Sequence, residues 1–344
     1  MKIAIVDRKN SFSDRWILYC MDHDVDYKIV DPYRNDIIQQ VKDCDALMWH
    51  FHQSNYKDMQ MAVAVLKSVS KSGKKVYPNP DTCWYFDNKV AEKYLFEAVG
   101  APLVNSYVFF TEEEAMEWAK KTSFPKVFKL KGGAGASNVK LAHTREEAVT
   151  LIKKAFGKGF SQYDWRGAFK EQQRKYKAGK VTVRDLLRPL YYATKRYPTE
   201  FAHYHQNEIG YVYFQDFIPN NKYDIRVCIV ADKAFAIRRN CRENDFRASG
   251  SGNMVYDINQ IDIRCVEIAF AVNKKLNCQS IGFDFVFDVN NNPLIIECSY
   301  GFTAKAYDAC EGYWTEDMQW HKGNGFNFCG WMVEEIINEI KNEK

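Results

Sequence analysis

Two carboxylates near residue 290 are spaced so that they should face each other across a predicted β-hairpin. Apolar residues alternate over residues 285–289 and form a second run over 294–298, which predicts two strands. The asparagine pair at 290–291 suits a two-residue turn, because Asn tolerates the left-handed backbone that such turns require. A turn at that position places Asp284 directly opposite Glu297.

These opposed acids predict a cation site. Opposed side chains on neighbouring strands lie roughly 5 Å apart, and like charges at that distance destabilise a sheet. A divalent cation between Asp284 and Glu297 would remove the repulsion, and Mg²⁺ prefers carboxylate oxygens, usually together with phosphates. The alternative is an exposed hairpin with two surface acids, which the apolar neighbours of Glu297 disfavour.

A glycine-rich loop over residues 132–137 is the second feature with chemical meaning. Its three glycines, two alanines and serine would let backbone N–H groups approach phosphate oxygens closely. It is not a Walker loop, because Gly-Lys-Ser/Thr is absent and Lys129 precedes the glycines. An ordinary flexible turn is the alternative interpretation.

The elements at the start of the chain predict a small doubly wound α/β unit. Strands are expected at residues 2–6, 45–49 and 75–77, with helical spacing between them. No Gly-x-Gly-x-x-Gly follows the first strand, so a dinucleotide cofactor is not expected there. Ligands of such sheets lie beyond the carboxyl ends of the strands, where Ser11 and His50 fall; a surface or packing histidine is the alternative.

Further elements follow a boundary at Pro78-Asn79-Pro80. A helix over residues 89–99 should end at Gly100, and Thr111 and Thr144 each have a Glu three residues later, as in a capping box. The remaining predictions are strands at 126–131, 211–218, 224–230 and 234–239 and helices at 266–276 and 331–340.

Composition indicates a soluble globular protein with two or three subdomains. The chain has 344 residues, 46% hydrophobic and 27% charged, with no apolar run near the ~20 residues of a membrane helix. The apolar stretch at the start is too short for a signal peptide, so we expect a cytoplasmic protein. The ten cysteines form no Cys-x-x-Cys pair and are expected to be small buried hydrophobes.

Charge is unevenly distributed. The net charge of +4 is too small to imply nucleic acid, but residues 153–200 contain thirteen Lys or Arg against four Asp or Glu. Such a stretch either contacts an anionic substrate or polymer or forms a solvated helical surface.

Taken together, these residues resemble the ATP-grasp superfamily, and in particular carboxylate–amine ligases of the glutathione synthetase and ribosomal-protein glutamate ligase type. The resemblance covers most of the chain. It is carried by Lys89, by Lys129 with the glycine loop, by Gln215-Asp216-Phe217-Ile218, by Asp224-Ile225-Arg226, by Arg239 with Phe246-Arg247, and by the acidic hairpin.

The resemblance implies an α/β and α+β fold, in which a small doubly wound α/β domain is followed by two α+β subdomains that grip ATP. Residues 1–85 would form the preceding Rossmann-like domain and residues 86–344 the ATP-grasp domain. Within the latter, 125–218 would be a lid with a basic helical insertion at 153–210, and 219–344 would bind metal and substrate.

The resemblance also implies roles for individual residues. Arg226 and Arg239 would be catalytic and would stabilise the transferred phosphoryl group. ATP would be held by Lys89, Lys129, Gly132, Gly133, Gly135, Ser137, Gln215, Asp216, Ile218 and Asn220. Metal would be held by Asp284, Glu297 and Ser299, and substrate by Arg247, Ser249, Ser11 and His50.

Three residues depart from the family pattern. Ser299 stands where the family usually has Asn, so binding of a second metal ion is left open. Asn220 or Asn221 replaces the acidic ribose contact, and Asn88 precedes Lys89 where Asp is common.

The implied activity is ATP-dependent amide formation through an acyl phosphate, with release of ADP and phosphate. The cofactors would be ATP and one or two Mg²⁺ ions, for which Mn²⁺ can substitute. The substrates would be a small-molecule carboxylate and an amine, such as an amino acid or an acidic sugar, with an anionic or nucleotide-linked form compatible with the basic stretch. No nucleic acid or membrane partner is expected, and a homodimer is a fair expectation. A non-catalytic ATP-binding regulatory protein and an ATP-grasp phosphotransferase are the alternatives.

Overall fold

Three β-sheets with helices packed against them build the protein. The computed structural model describes residues 1–132, 138–177, 179, 181–195, 200–242, 245–323 and 325–342. The first sheet is parallel, and the other two are antiparallel.

The first sheet has four strands, β1 (Lys2–Val6), β2 (Asp26–Val30), β3 (Ala46–Met48) and β4 (Lys75–Tyr77), in the order β2-β1-β3-β4. Helices α1 (Phe12–Asp22), α2 (Ile37–Gln40) and α3 (Tyr56–Lys71) connect them. The sequence predicted three of these strands and missed β2. This strand lies at the edge and buries only Val30 well, so its pattern lacks the apolar run of a central strand.

The second sheet has four antiparallel strands, β5 (Ser106–Phe109), β6 (Lys126–Lys129), β7 (Val139–Ala142) and β8 (Val212–Asp216), in the order β5-β8-β6-β7. It is preceded by α4 (Pro80–Cys83) and α5 (Lys89–Val99) and packs against α6 (Glu112–Lys121) and α7 (Arg145–Phe156). Gly100 ends α5 in the left-handed conformation, as predicted, while β5 and β7 were not predicted.

The basic stretch is helical between the gaps in its description. It forms α8 (Trp165–Lys177), α9 (Val183–Ala193) and α10 (Glu200–Tyr204). No residue of α8 is fully buried, which fits a solvated surface. The ring of Tyr204 stacks on Tyr56 of α3 with centroids 4.2 Å apart, so the basic stretch also reaches the first sheet's helices.

The third sheet is the largest. Its strands are β9 (Tyr223–Val230), β10 (Lys233–Asn240), β11 (Met254–Val255), β12 (Ser280–Phe287), β13 (Pro293–Ser299), β14 (Gly312–Thr315) and β15 (Trp320–Lys322). The order is β13-β12-β9-β10-β14-β15, with β11 paired to β10. Helix α11 (Ile263–Leu276) covers one face, and the chain continues into α12 (Phe328–Asn342).

Helix α12 joins the first and third sheets through one hydrophobic core. Its buried residues Met332 and Ile336 share that core with Ile5 of β1 and Phe235 of β10. The end of the chain therefore packs against its beginning. The predicted domain boundaries at residues 85 and 218 remain predictions.

The hairpin of the third sheet has the predicted pairing but not the predicted turn. Asp284 lies opposite Glu297, whereas Phe287 pairs with Pro293, so the loop between the strands has three residues at its tip. A one-residue bulge at Ile296 shifts the register back by one. The expected two-residue turn is therefore wrong, and the bulge restores the expected pair.

The cysteines meet the expectation of small buried residues, because all ten are free and nine are buried. Aromatic residues near the end of the chain pack together at the β14–β15 hairpin, where Tyr313 contacts His321 and Trp331. Within the described ranges, every helix is too short or too polar to cross a bilayer.

Candidate active site

A cleft between the second and third sheets collects most of the predicted site residues. The second sheet contributes residues of β6 and β8, and the third contributes residues of β9, β12 and β13. The predicted residues that line it are Lys89, Lys129, Gln215, Asp216, Ile218, Asn220, Arg247, Ser249, Asp284 and Glu297.

Lys89 is buried at the first turn of α5, where the Asn88 side chain caps the helix by accepting from the Ala91 N–H. Its Nζ lies 3.1 Å from Glu92 Oε1 and 3.5 Å from Glu297 Oε2. Burial acts to lower the pKa of Lys89, but the carboxylates of Glu297 and Glu92 outweigh it and raise that pKa well above its ordinary value. Lys89 is therefore a permanent cation.

Lys129, the last residue of β6, is also buried, but it has weaker counterions. Its Nζ donates one long hydrogen bond, 3.5 Å, to the Ile296 carbonyl. Burial lowers the pKa of Lys129, and the neighbouring Lys89 lowers it further, although Glu297 acts in the opposite direction. An anionic ligand in the cleft would stabilise this cation.

Arginine side chains neutralise Asp284 in the structure. Asp284 is 1% exposed, and its Oδ2 accepts from Nη2 of Arg226 and of Arg239, each at 2.7 Å. Arg239 also pairs with Asp224 at 2.7 Å. Burial acts to raise the pKa of Asp284, but Arg226 and Arg239 hold it well below its usual range. The sequence predicted a divalent cation to relieve the repulsion between the two acids; in the structure, arginines of β9 and β10 already neutralise Asp284.

The strand β8 holds the two sheets together. Gln215 is 2% exposed, and its amide donates to Ser106 Oγ at 3.1 Å and to the Ile296 carbonyl at 3.4 Å. Asp216 accepts from Lys126 Nζ at 2.5 Å and from Asn105 at 3.2 Å. Because both side chains are engaged, the backbone of residues 216–218 is the part that remains for a ligand.

The start of the loop after β6 lies close to Asp87. A Cβ at Gly132 would lie 2.8 Å from Asp87 Oδ2, so a larger residue there would force the Asp87 side chain to move. The predicted phosphate-binding residues Gly133, Gly135 and Ser137 lie outside the described residues.

A second cavity adjoins the cleft and contains the substrate residues predicted from the first sheet. His50 lines it, and Ser11 Oγ lies 2.8 Å from His50 Nδ1. Glu297 and Ser249 line both cavities. The other predicted substrate residue, Arg247, pairs with Asp245 at 2.6 Å on the cleft side. The proposed substrate residues are therefore divided between two adjoining cavities. His50, with Ser11 bonded to it, belongs to the second cavity, Arg247 lines the cleft, and Ser249 lines both.

The acids fit a hard divalent cation that also has ligands from a bound molecule. Glu297 supplies partly exposed carboxylate oxygens, whereas both oxygens of Asp284 already accept from arginines and have only their remaining lone pairs for a metal. The Ser299 hydroxyl donates to the Gly301 carbonyl at 2.7 Å and keeps lone pairs available. Within the described ranges, no cluster of three or more His, Cys, Asp or Glu could hold a metal by itself. Mg²⁺ is commonly bound in this way, by one or two carboxylates with phosphate oxygens and water.

Two site residues were missed from the sequence. Glu92 is buried and bridges the elements of the site, because its Oε1 accepts from Lys89 and its Oε2 accepts from the Cys298 N–H at 3.1 Å. Its spacing of three residues after Lys89 on a predicted helix was an available signal. Lys126, which pairs with Asp216 across β6 and β8, was visible only once the sheet order was known.

One family model and several solved structures are similar to the chain. The family described as RimK-like ATP-grasp domain matches residues 203–308. No curated protein sequence matches the chain.

Solved structures share the fold over the whole chain. D-alanine–D-alanine ligase from Bacillus anthracis, complexed with ATP, is 13% identical with a TM-score of 0.60 and covers 100% of this chain and 99% of its own. A RimK domain ATP-grasp protein from Sphaerobacter thermophilus is 11% identical with a TM-score of 0.56, covering 98% and 100%. The ATP-grasp ligase PsnB, complexed with the precursor peptide PsnA2 and AMPPNP, is 11% identical with a TM-score of 0.54, covering 99% and 98%.

At these identities the likeness shows the fold. It confirms the predicted resemblance to the ATP-grasp superfamily and the predicted fold class. D-alanine–D-alanine ligase and PsnB are themselves ligases.

Proposed function

We propose that the chain is an ATP-dependent carboxylate–amine ligase, because it has the ATP-grasp fold and its residues 203–308 match the model of the RimK-like ATP-grasp domain. The observation that carries this proposal is the grouping of charges in one cleft. Lys89, Lys129, Asp284 and Glu297 line this cleft, with Lys89 3.5 Å from Glu297. Arg226 and Arg239 pair with Asp284.

The proposed reaction has two steps. A carboxylate oxygen of the first substrate attacks the γ-phosphorus of ATP, the bond to the β,γ-bridging oxygen breaks, and ADP leaves. The amine then attacks the acyl carbon, phosphate leaves with the bonding electrons of the C–O bond, and the amine nitrogen loses a proton to solvent. A carboxylate needs this activation because its own oxygen is a poor leaving group.

The residues of the cleft provide charge and position for this reaction. Lys89 and Lys129 would neutralise the phosphates, and the guanidinium groups of Arg226 and Arg239 would stabilise charge on the transferred phosphoryl group. Asp284 and Glu297 would hold Mg²⁺, which neutralises phosphate charge when bound. The backbone at 216–218 would hold the adenine edge, and Asn220 would contact the ribose.

The proposal is tested by incubating the full chain with Mg²⁺, ATP and panels of carboxylates and amines, and by following products with ³¹P NMR. We expect ADP and inorganic phosphate, formed only when a carboxylate and an amine are both present. AMP with pyrophosphate would contradict the proposal. A stable phosphorylated product without an amine would identify a phosphotransferase, and nucleotide binding without any product would identify a regulatory protein.

Glu297→Gln is the sharpest variant, because Glu297 is partly exposed and its neutralisation leaves no buried acid unpaired. We expect turnover to fall by at least about 100-fold, since electrostatic groups at a phosphoryl-transfer site commonly contribute this much. Glu316→Gln, an exposed acid on the β14–β15 side of the same sheet, is the matched control and should retain full turnover. Near-normal activity of Glu297→Gln would refute its place in the metal site.

A further inference from the structure

A guanidinium group lines the cavity beside the cleft. Arg8, which follows β1, lines this cavity, and its Nε is buried without a hydrogen-bond partner. Among the described residues, no carboxylate oxygen lies within 4.0 Å of the Arg8 guanidinium nitrogens. Arg226 and Lys89 also line the cavity, but both are paired with acids.

The backbone fixes which nitrogen of His50 carries a proton. The Phe12 N–H donates to His50 Nδ1 at 3.1 Å, so Nδ1 must hold a lone pair. The neutral ring therefore has its proton on Nε2, and no described group accepts from that nitrogen. His50 is 7% exposed and stacks on Phe12 with ring centroids 3.8 Å apart, so the ring orientation is held by packing.

A backbone hydrogen bond also determines the tautomer of His52. The Ser54 N–H donates to His52 Nδ1 at 3.2 Å, which again leaves the proton on Nε2. His52 also lines the cavity. Two imidazoles of the same tautomer and one unpaired guanidinium thus present hydrogen-bond donors in a single space.

Two acids line this cavity as well, and neither serves Arg8. Glu297 pairs with Lys89, and Asp87 lies against Gly132. Asp58, which accepts from the backbone of His52, has both oxygens engaged, by the Tyr33 hydroxyl at 2.6 Å and the His52 N–H at 2.7 Å. The donors at Arg8, His50 and His52 therefore have no acceptor of their own in the described protein.

We propose that this cavity binds the substrate through an anionic oxygen group, held by the Arg8 guanidinium and by the Nε2–H groups of His50 and His52. The proposal rests on the proposed function and specifies its substrate as one that carries a carboxylate at this position. A guanidinium with two imidazole donors matches the lone pairs of a carboxylate, and charge-assisted hydrogen bonds of this kind are the strong ones. Asn10, Gln53 and Thr303 add neutral polar groups to the same wall.

Binding can be tested without turnover. The full chain is saturated with Mg²⁺ and a non-hydrolysable ATP analogue, so that the cations of the cleft are occupied, and glutarate is titrated by calorimetry. We expect glutarate to bind, and the uncharged isostere glutaramide not to bind. Arg8→Gln should weaken glutarate binding by at least about tenfold, the usual loss for a charged hydrogen bond, and Arg8→Lys should weaken it less.

Arg34→Gln is the matched control, because Arg34 belongs to the same domain but is exposed and paired with Asp36. It should bind glutarate as the wild type does. Equal affinity in Arg8→Gln, equal affinity for glutaramide, or no glutarate binding at all would overturn the proposal. Thermal unfolding of each variant separates loss of the site from loss of the fold.

Nitrogen NMR gives an independent readout. In the chain labelled with ¹⁵N-histidine, His50 and His52 should show the Nε2–H tautomer, and glutarate should shift both Nε2 signals in the wild type but not in Arg8→Gln. Nδ1–H tautomers would overturn the proposal. Since no nucleotide is consumed, these results stand apart from the success or failure of the ligase assay.

Discussion

At the scale of residues, a buried acid controls the position of a phosphate-binding lysine. One carboxylate oxygen of Glu92 accepts a hydrogen bond from Lys89, and the other accepts one from the backbone N–H of Cys298. It therefore ties α5 to β13 next to Glu297. Removing one partner of a buried ion pair lowers the free energy of unfolding by more than the intact pair contributes. The remaining charge is then buried away from water without a counterion.

Glu92→Gln tests this role. We expect an increase of about tenfold in the KM for ATP and a loss of about 1–3 kcal/mol in unfolding free energy, because the buried lysine loses a charged acceptor. Helix α5 contains a matched control in the exposed pair Lys93–Glu97, 2.6 Å apart. Glu97→Gln should change stability by less than about 0.5 kcal/mol, as surface pairs do. Similar effects of both substitutions on KM would contradict the assignment.

His52 makes stability depend on pH. Burial, and secondarily the nearby Arg8, lower the pKa of His52 to about 4 from an ordinary value of 6.5. The unfolded chain therefore binds more protons between these values, and stability should fall as pH drops from 6.5 to 4. Because the ring is partly exposed, we expect about 1–2 kcal/mol from this residue.

Urea unfolding at a series of pH values checks this expectation. His52→Gln should flatten the acid side of the stability profile, whereas His23→Gln, an exposed histidine of α1's carboxyl end, should leave it as in the wild type. An unchanged profile in His52→Gln would show that other groups dominate.

At the scale of elements, the β12–β13 hairpin determines which side chains meet. Its register depends on a three-residue tip followed by a bulge at Ile296, and both features are needed to pair Asp284 with Glu297. Asn291 has a φ of 61°, the left-handed conformation that Asn tolerates and β-branched residues do not.

Asn291→Val should destabilise the protein by about 1–2 kcal/mol, the cost of forcing a β-carbon-branched residue into the left-handed region. Asn291→Gly is the control and should be close to neutral, because Gly adopts that conformation freely. Turnover per folded molecule should not change in either variant, since β9 and the bulge hold the register at Asp284. Loss of activity without loss of stability would contradict the expectation that this turn affects stability and not turnover.

At the scale of the whole molecule, one core ties the beginning of the chain to its end. Ile336 of α12 packs in the same cluster as β1 and β10, so the first and third sheets share buried surface. The basic helices also contact this body, because Glu171 of α8 pairs with Arg242 at 3.3 Å beside the cleft. The basic stretch therefore lies next to the proposed active site.

Ile336→Ala should lower the free energy of unfolding by about 2–5 kcal/mol, the range for deleting a buried aliphatic side chain. Asn338→Ala, at an exposed position of the same helix, is the control and should be nearly neutral. Because the core is shared, fluorescence and circular dichroism should report one coincident transition in both variants. Two separate transitions in Ile336→Ala would indicate that the sheets unfold independently.

Local patterns predicted much of the fold because they depend on neighbours in sequence. The helix at 89–99 and the strands at 2–6 and 75–77 were predicted to the residue, since apolar spacing, caps and Gly100 act locally. The strands β2, β5, β7, β11, β14 and β15 were missed. Each is short and only partly buried, so its pattern is weak until its partners are known.

The candidate site was likewise predicted only in part. Lys89, Lys129, Arg226, Arg239, Asp284 and Glu297 were found from types and order along the chain. The structure places the lysines and acids in one cleft, with both arginines paired to Asp284. The ion pairs among them were not found, because a pairing such as Arg239 with Asp284 depends on the order of β10, β9 and β12 in the sheet.

The sequence alone determined that this chain resembles ATP-grasp proteins and that two acids should meet across a hairpin. Only the tertiary structure decided what surrounds them: arginines from β9 and β10 around Asp284, Glu92 beneath Lys89, and Arg8 with two oriented imidazoles in the adjoining cavity. The physical reason is how far apart along the chain the interacting residues lie. Backbone conformation and amphipathic spacing act over a few residues, whereas electrostatic pairing and desolvation depend on which distant segments the fold places within a few ångströms of each other.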